Sequence, residues 1–123
     1  MRFLLITLCL ITAGCRVSVT TTESAEDDRA ARELLITALD SWKAGKVSSL
    51  RKRTPPVRFT DDDLRAGFRL ASYELADPEA AVRPFQNTDV KLVLVRGSGP
   101  KIERLASYQV SLKPELTVLR SDP

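Results

Sequence analysis

The chain has 123 residues, 43% of them hydrophobic and 28% charged, with a formal net charge of +3. That length and balance suit one globular domain, and so weak a positive bias gives no footing for nucleic-acid binding. There is no histidine. Its absence excludes a Ser-His-Asp triad, a Cys-His pair and a His-ligated zinc site, and no cofactor or metal is expected.

The first fifteen residues read as a leader. Arg2 supplies the positive end, and Phe3 to Ile11 form an apolar run. That run is too short to cross about 30 Å of hydrocarbon as a helix, and it fits the apolar region of a secretory signal. Small residues Ala13 and Gly14 then precede Cys15. The string Ile11-Thr12-Ala13-Gly14-Cys15 resembles the lipobox of bacterial lipoproteins, with Thr12 where an aliphatic residue is usual. The resemblance implies cleavage between Gly14 and Cys15, a diacylglyceryl group on the Cys15 sulfur and acylation of the new amino group. Membrane lipid is then the expected partner through Cys15. Two or three acyl chains hold durably, since each buried CH₂ contributes about 0.8 kcal/mol. Arg16 stands where an aspartate would imply retention at the inner membrane, so the resemblance implies the outer membrane, facing the periplasm. The residues alone also allow an ordinary signal with Cys15 incidental, or an uncleaved anchor. Cys9, the only other cysteine, lies inside the leader, so cleavage leaves Cys15 no intrachain disulfide partner.

Residues 15–23 are expected to form the lipidated cysteine and a Thr-rich tether, or a short strand. The domain is expected over 24–120, with a tail at 121–123. A helix is predicted from Ala25 to Ala44. Ser24 serves as N-cap, and Glu26, Asp27 and Asp28 lie at the positive helix end. Ala31, Leu34, Leu35, Ala38, Leu39 and Trp42 recur at three- and four-residue spacing, and Gly45 suits the position after the end. Residues 46 to 59 read as irregular because Pro55-Pro56 excludes a helix. Thr60 then caps one or two helical turns that stop at Gly67.

Beyond Gly67 the period falls to two. Strands are predicted over Phe68 to Leu75, Val90 to Arg96, Lys101 to Leu112 and Glu115 to Arg120, with a short edge segment at Val82 to Phe85. Val90, Leu92 and Leu94 form one face of their strand. Ile102, Ala106, Tyr108, Val110 and Leu112 form another, and Arg104 falls on that same apolar face. The expected fold class is therefore α+β, one long N-terminal helix packed on a three- to four-stranded antiparallel meander. This order of elements resembles small cystatin-like or NTF2-like domains.

Four groups of side chains are candidates for chemistry. Asp61-Asp62-Asp63 suggests a Ca²⁺ or Mg²⁺ site, but carboxylates at consecutive helix positions diverge, and a negatively charged helix start explains them better. Arg51, Lys52 and Arg53, with Lys46 and Arg58 nearby, could touch anionic headgroups, or form a solvated loop. Trp42, Phe68, Tyr73 and Tyr108 could line a pocket or pack the core, and the two tyrosines could pair across the sheet. Arg104 is either a buried anion-binding group or a rim residue with its charge in water. Glu74 is the one ambiguous inward carboxylate for an NTF2-like acid–base pair. Gln109 to Lys113 departs from the inhibitory hairpin of cystatins in spacing and last residue. The leading expectation is a non-enzymatic, lipid-anchored envelope domain that binds an envelope protein partner or has a structural role. The alternative is an NTF2-like pocket for a small ligand or a histidine-independent reaction, and a third reading is a lipid-surface adaptor.

Overall fold

The computed structural model describes residues 19–122, with side chains from Ser24 onward. Helix α1 spans Val19–Lys43, so it starts five residues before the expected cap at Ser24. Its apolar stripe is as the spacing requires. Ala31, Leu34, Leu35, Ala38, Leu39 and Trp42 are all buried. The helix ends in a Schellman motif, in which the Gly45 amide donates to the Trp42 carbonyl at 3.0 Å and the Lys46 amide to Ser41 at 2.8 Å. Gly45 takes φ +70 there, a value that favours glycine.

A 3₁₀ turn over Val47–Lys52 follows, with Leu50 buried beneath it. The chain then forms a strand that the prolines concealed, β1 at Val57–Thr60. Helix α2 spans Asp62–Arg65, and its N-cap is Asp61, not Thr60. The Asp61 carboxylate accepts from the Leu64 amide at 3.0 Å, which satisfies one of the free donors at the helix start. Gly67 ends α2 at φ +90, as its position suggested.

The remaining strands are β2 at Arg69–Leu75, β3 at Thr88–Val95, β4 at Ile102–Ser111 and β5 at Leu116–Arg120. They form the expected antiparallel meander, with a bulge between Leu70 and Ser72. Strand β1 adds to it in parallel with β5, giving the order β1-β5-β4-β3-β2. The sheet therefore has five strands and is mixed, not three or four and purely antiparallel. The protein is α+β, a long helix against a five-stranded sheet. The expected edge segment at Val82 to Phe85 is not a strand. Pro84 and Phe85 form a turn, and Val82 is buried against the core from a loop.

The core lies between α1 and one face of the sheet. That face supplies Leu70, Leu75, Val90, Leu92, Leu94, Ala106, Tyr108, Val110 and Val118, all buried. Each fully buried aliphatic side chain contributes about 1.5–3 kcal/mol of transfer free energy. Phe59 bridges Trp42 and Tyr108, with ring centroids 6.1 and 6.2 Å away. Trp42 and Tyr108 are thus core residues, while Phe68 and Tyr73 are partly buried against that core. Ser72, Glu74, Lys91, Glu103 and Leu105 lie on the opposite, exposed face.

Candidate functional site

The parallel pairing of β1 with β5 determines where the charged residues meet. Thr60 is opposite Leu119 in the ladder, so Asp61 and Arg120 leave their strands side by side. Tyr108 is opposite Arg120 on the other side of β5. The Arg120 Nη1 donates to Asp63 Oδ2 at 2.6 Å and lies 3.3 Å from both Asp61 oxygens. Its Nε donates to Asp122 Oδ1 at 2.5 Å. The Tyr108 hydroxyl donates to Asp61 Oδ2 at 2.5 Å, and Arg104 Nη1 donates to Asp63 Oδ1 at 2.5 Å.

This cluster is removed from water. The side chains of Arg120 and Asp61 are 6% and 0% exposed. Burial pushes the Tyr108 hydroxyl far above its ordinary titration range, and the Asp61 charge adds to that. Burial acts to lower Arg120, but its hydrogen bonds to Asp122 and Asp63 and the charge of Asp61 outweigh it, and the group is held firmly cationic. Burial likewise acts to raise Asp122, and the Arg120 hydrogen bond and charge with the Ser107 amide prevail, holding it below the usual carboxylate range. Among the described residues no buried side-chain nitrogen or oxygen lacks a hydrogen-bond partner. Asp61 and Asp63 turn their oxygens to arginine, tyrosine and amide donors, while Asp62 is exposed. The three aspartates therefore do not converge on a cation, and no group of residues suited to a metal occurs among the described residues.

Arg104 connects this buried cluster to the surface. Its side chain is 41% exposed, and its guanidinium carbon stands 6.0 Å from the centre of the Phe68 ring. The guanidinium carbon of Arg96 stands 5.7 Å from the centre of the same ring. Phe68 is fixed from below, since its carbonyl accepts from Trp42 Nε1 at 2.9 Å. Arg69, the next residue, donates to the Gly97 carbonyl at 3.3 Å. Arg104 thus lies at the rim with its charge shared between Asp63 and an aromatic face. Sequence reasoning placed it on the correct strand face and missed its aspartate. Arg96 was missed because one exposed arginine before a turn carries no pattern.

The other residues picked from the sequence are scattered. Tyr73 donates to Asp40 Oδ1 on α1 at 2.6 Å, and β3 stands between it and Tyr108, so the two tyrosines do not pair. Glu74 is exposed on the far face of the sheet. Arg51, Lys52 and Arg53 are exposed with Lys46 and Arg58, and none of the five is in an ion pair among the described residues. Gly14 and Cys15 lie outside the described residues.

The larger hollows are open surface features. One of about 780 Å³ is lined by Glu74, Lys91, Glu103 and Leu105 on the sheet face away from α1. Tyr73, Leu92 and Arg104 also border it, although the Tyr73 hydroxyl and the Arg104 guanidinium are hydrogen-bonded to Asp40 and Asp63 and Leu92 is buried. Another, of about 510 Å³, runs between Pro55 and Pro114, with Arg51 and Arg58 at its edge. A smaller cleft of about 280 Å³ separates the end of α1 from β2. No helix of the described residues is long and apolar enough to cross a membrane. No protein-family model, curated protein or solved structure matches the chain.

Proposed function

We propose that the chain is a lipid-anchored protein of the cell envelope whose domain binds a partner and carries no reaction of its own. The burial of Trp42 and the aliphatic side chains between α1 and the sheet is the observation that supports a binding or structural role. Trp42 and the leucines of α1 occupy the space that a small-molecule pocket would need, and the polar groups near it are committed to one another. Helix followed by meander supports kinship of layout with cystatin-like or NTF2-like domains, modified by the parallel strand β1.

The anchor rests on the Ile11 to Cys15 string and the apolar run before it. Outer-membrane placement facing the periplasm rests on Arg16. The helix supports the same arrangement, since Ser24 to Asp27 are exposed and, among the described side chains, the first buried one is Ala31. A helical turn rises about 5.4 Å, so this exposed start acts as a spacer between anchor and domain. Growth of the native host with radiolabelled palmitate tests the reading. Label is expected on the wild-type chain and absent from Cys15→Ala. Equal label on both, or none on either, overturns it.

A further inference from the structure

The geometry points to the end of the domain around Phe68 as a binding site for an acidic, extended peptide segment of a partner protein, gripped by Arg69, Arg96 and Arg104. This names the partner chemistry of the binding role proposed above and rests on that role, but not on acylation of Cys15.

Two arginines flank one aromatic ring, and a third, Arg69, follows that ring in the chain and donates to the Gly97 carbonyl at 3.3 Å. Arg96 and Arg104 both stand within about 6 Å of the Phe68 ring centre, a distance at which the ring face attracts a cation. Held on the ring, the Arg96 guanidinium keeps its N–H edge for a carboxylate, which it can grip with two parallel hydrogen bonds, whereas Arg104 already spends Nη1 on Asp63 and offers its remaining N–H groups. Among the described residues neither Arg69 nor Arg96 is in an ion pair. The one carboxylate joined to this group, Asp63, is shared with Arg120. The surface is therefore short of negative charge, and an acidic ligand supplies it.

The neighbouring cleft indicates an apolar contact beside the charged ones. It is lined by Trp42, Leu70, Ala71 and Val95, with Lys43 and Arg69 at its edge. At about 280 Å³ it is smaller than the usual site of a drug-sized molecule and suits a single side chain. Strand β2, which carries Arg69, is an edge of the sheet, where an extended peptide can lie alongside. The bulge between Leu70 and Ser72 interrupts that edge, so charge contacts and the cleft, rather than a long ladder, set the affinity.

The position in the fold sets this site apart from the N-terminal end of α1. Phe68 is hydrogen-bonded to Trp42, near the C-terminal end of α1. The path from Val19 to Trp42 is roughly 35 Å along the helix axis. The site and the N-terminal end of α1 are therefore at opposite ends of that helix.

The test uses full-length protein in a neutral detergent and an octapeptide alternating Asp and Leu. Trp42 is the only tryptophan and lines the cleft, so its emission reports occupancy. The expected result is a saturable change in emission, weakened roughly tenfold in the Arg69→Gln/Arg96→Gln double variant, the equivalent of about one lost charge contact. It should also weaken as salt rises from about 0.05 to 0.5 M. The matching Asn–Leu octapeptide should not bind. Both substitutions are at exposed positions, and a thermal melt of the variant confirms its fold; the Asn–Leu comparison on wild type needs no variant at all. No saturable response, equal binding of the Asn peptide, or unchanged binding by a folded double variant overturns the proposal. Stronger binding of polygalacturonate or phosphatidylglycerol vesicles at the same arginines overturns it too. None of these outcomes bears on lipid at Cys15, which the palmitate label decides.

Discussion

The Tyr108 hydroxyl donates to Asp61 Oδ2 at 2.5 Å, and both residues are wholly buried. A carboxylate in that position needs a full set of donors, and it has Tyr108, Arg120 and the Leu64 amide. Tyr108→Phe keeps the ring against Phe59 and removes one donor. The expected cost is about 1–3 kcal/mol, the penalty of leaving a buried acceptor short of a partner. Urea unfolding with an unchanged slope measures it. A cost near zero would mean that Arg120 and the Leu64 amide satisfy Asp61 without the hydroxyl.

Arg120 and Arg104 share Asp63 but should differ sharply in their weight. Arg120→Leu leaves Asp61 and Asp63 buried without their shared cation, which typically costs 3–5 kcal/mol. Arg104→Leu removes a half-exposed partner while Asp63 keeps Arg120, so a loss within about 1 kcal/mol is expected. Thermal melts of the two variants compare them. Equal losses would show that the cluster does not centre on Arg120.

Stability should fall at both ends of the pH scale, for opposite reasons. Asp122 is held below its ordinary range in the folded protein: burial opposes this, and Arg120 prevails. Its contribution is complete above the ordinary aspartate pKa near 4 and is lost as pH falls through the folded value. Tyr108 is raised by burial and by the charge of Asp61, so the folded chain keeps a proton that the unfolded chain releases near pH 10. Its contribution is complete below about pH 10 and declines above it. Asp122→Asn should flatten the acid limb, and Tyr108→Phe the alkaline limb. An alkaline limb as steep in Tyr108→Phe as in wild type contradicts the assignment.

Much of the fold is legible in the sequence, because burial leaves a period. The α1 stripe, the inward face of β3 and the glycines after both helices all follow from spacing and backbone preference. Strand β1 is not legible. Four residues after two prolines are too few to display alternation, and their partner β5 lies more than fifty residues away. That one omission conceals the charged cluster. Without β1 beside β5, nothing brings Asp61 to Arg120, and Asp122 reads as a tail. The partners of Asp61 and Asp63 were invisible because a salt bridge between distant residues has no local signature. Phe68 was noticed only as an aromatic residue, and Arg96 not at all, for the same reason.

The central claim is that the chain is anchored through lipid on Cys15, and the mass of the N-terminal peptide from protein purified out of native membranes tests it most directly. A peptide beginning at Cys15 and carrying diacylglyceryl and acyl mass, lost in Cys15→Ala, is the expected result. An unmodified peptide, or one that begins at Met1 or at a residue other than Cys15, would contradict it.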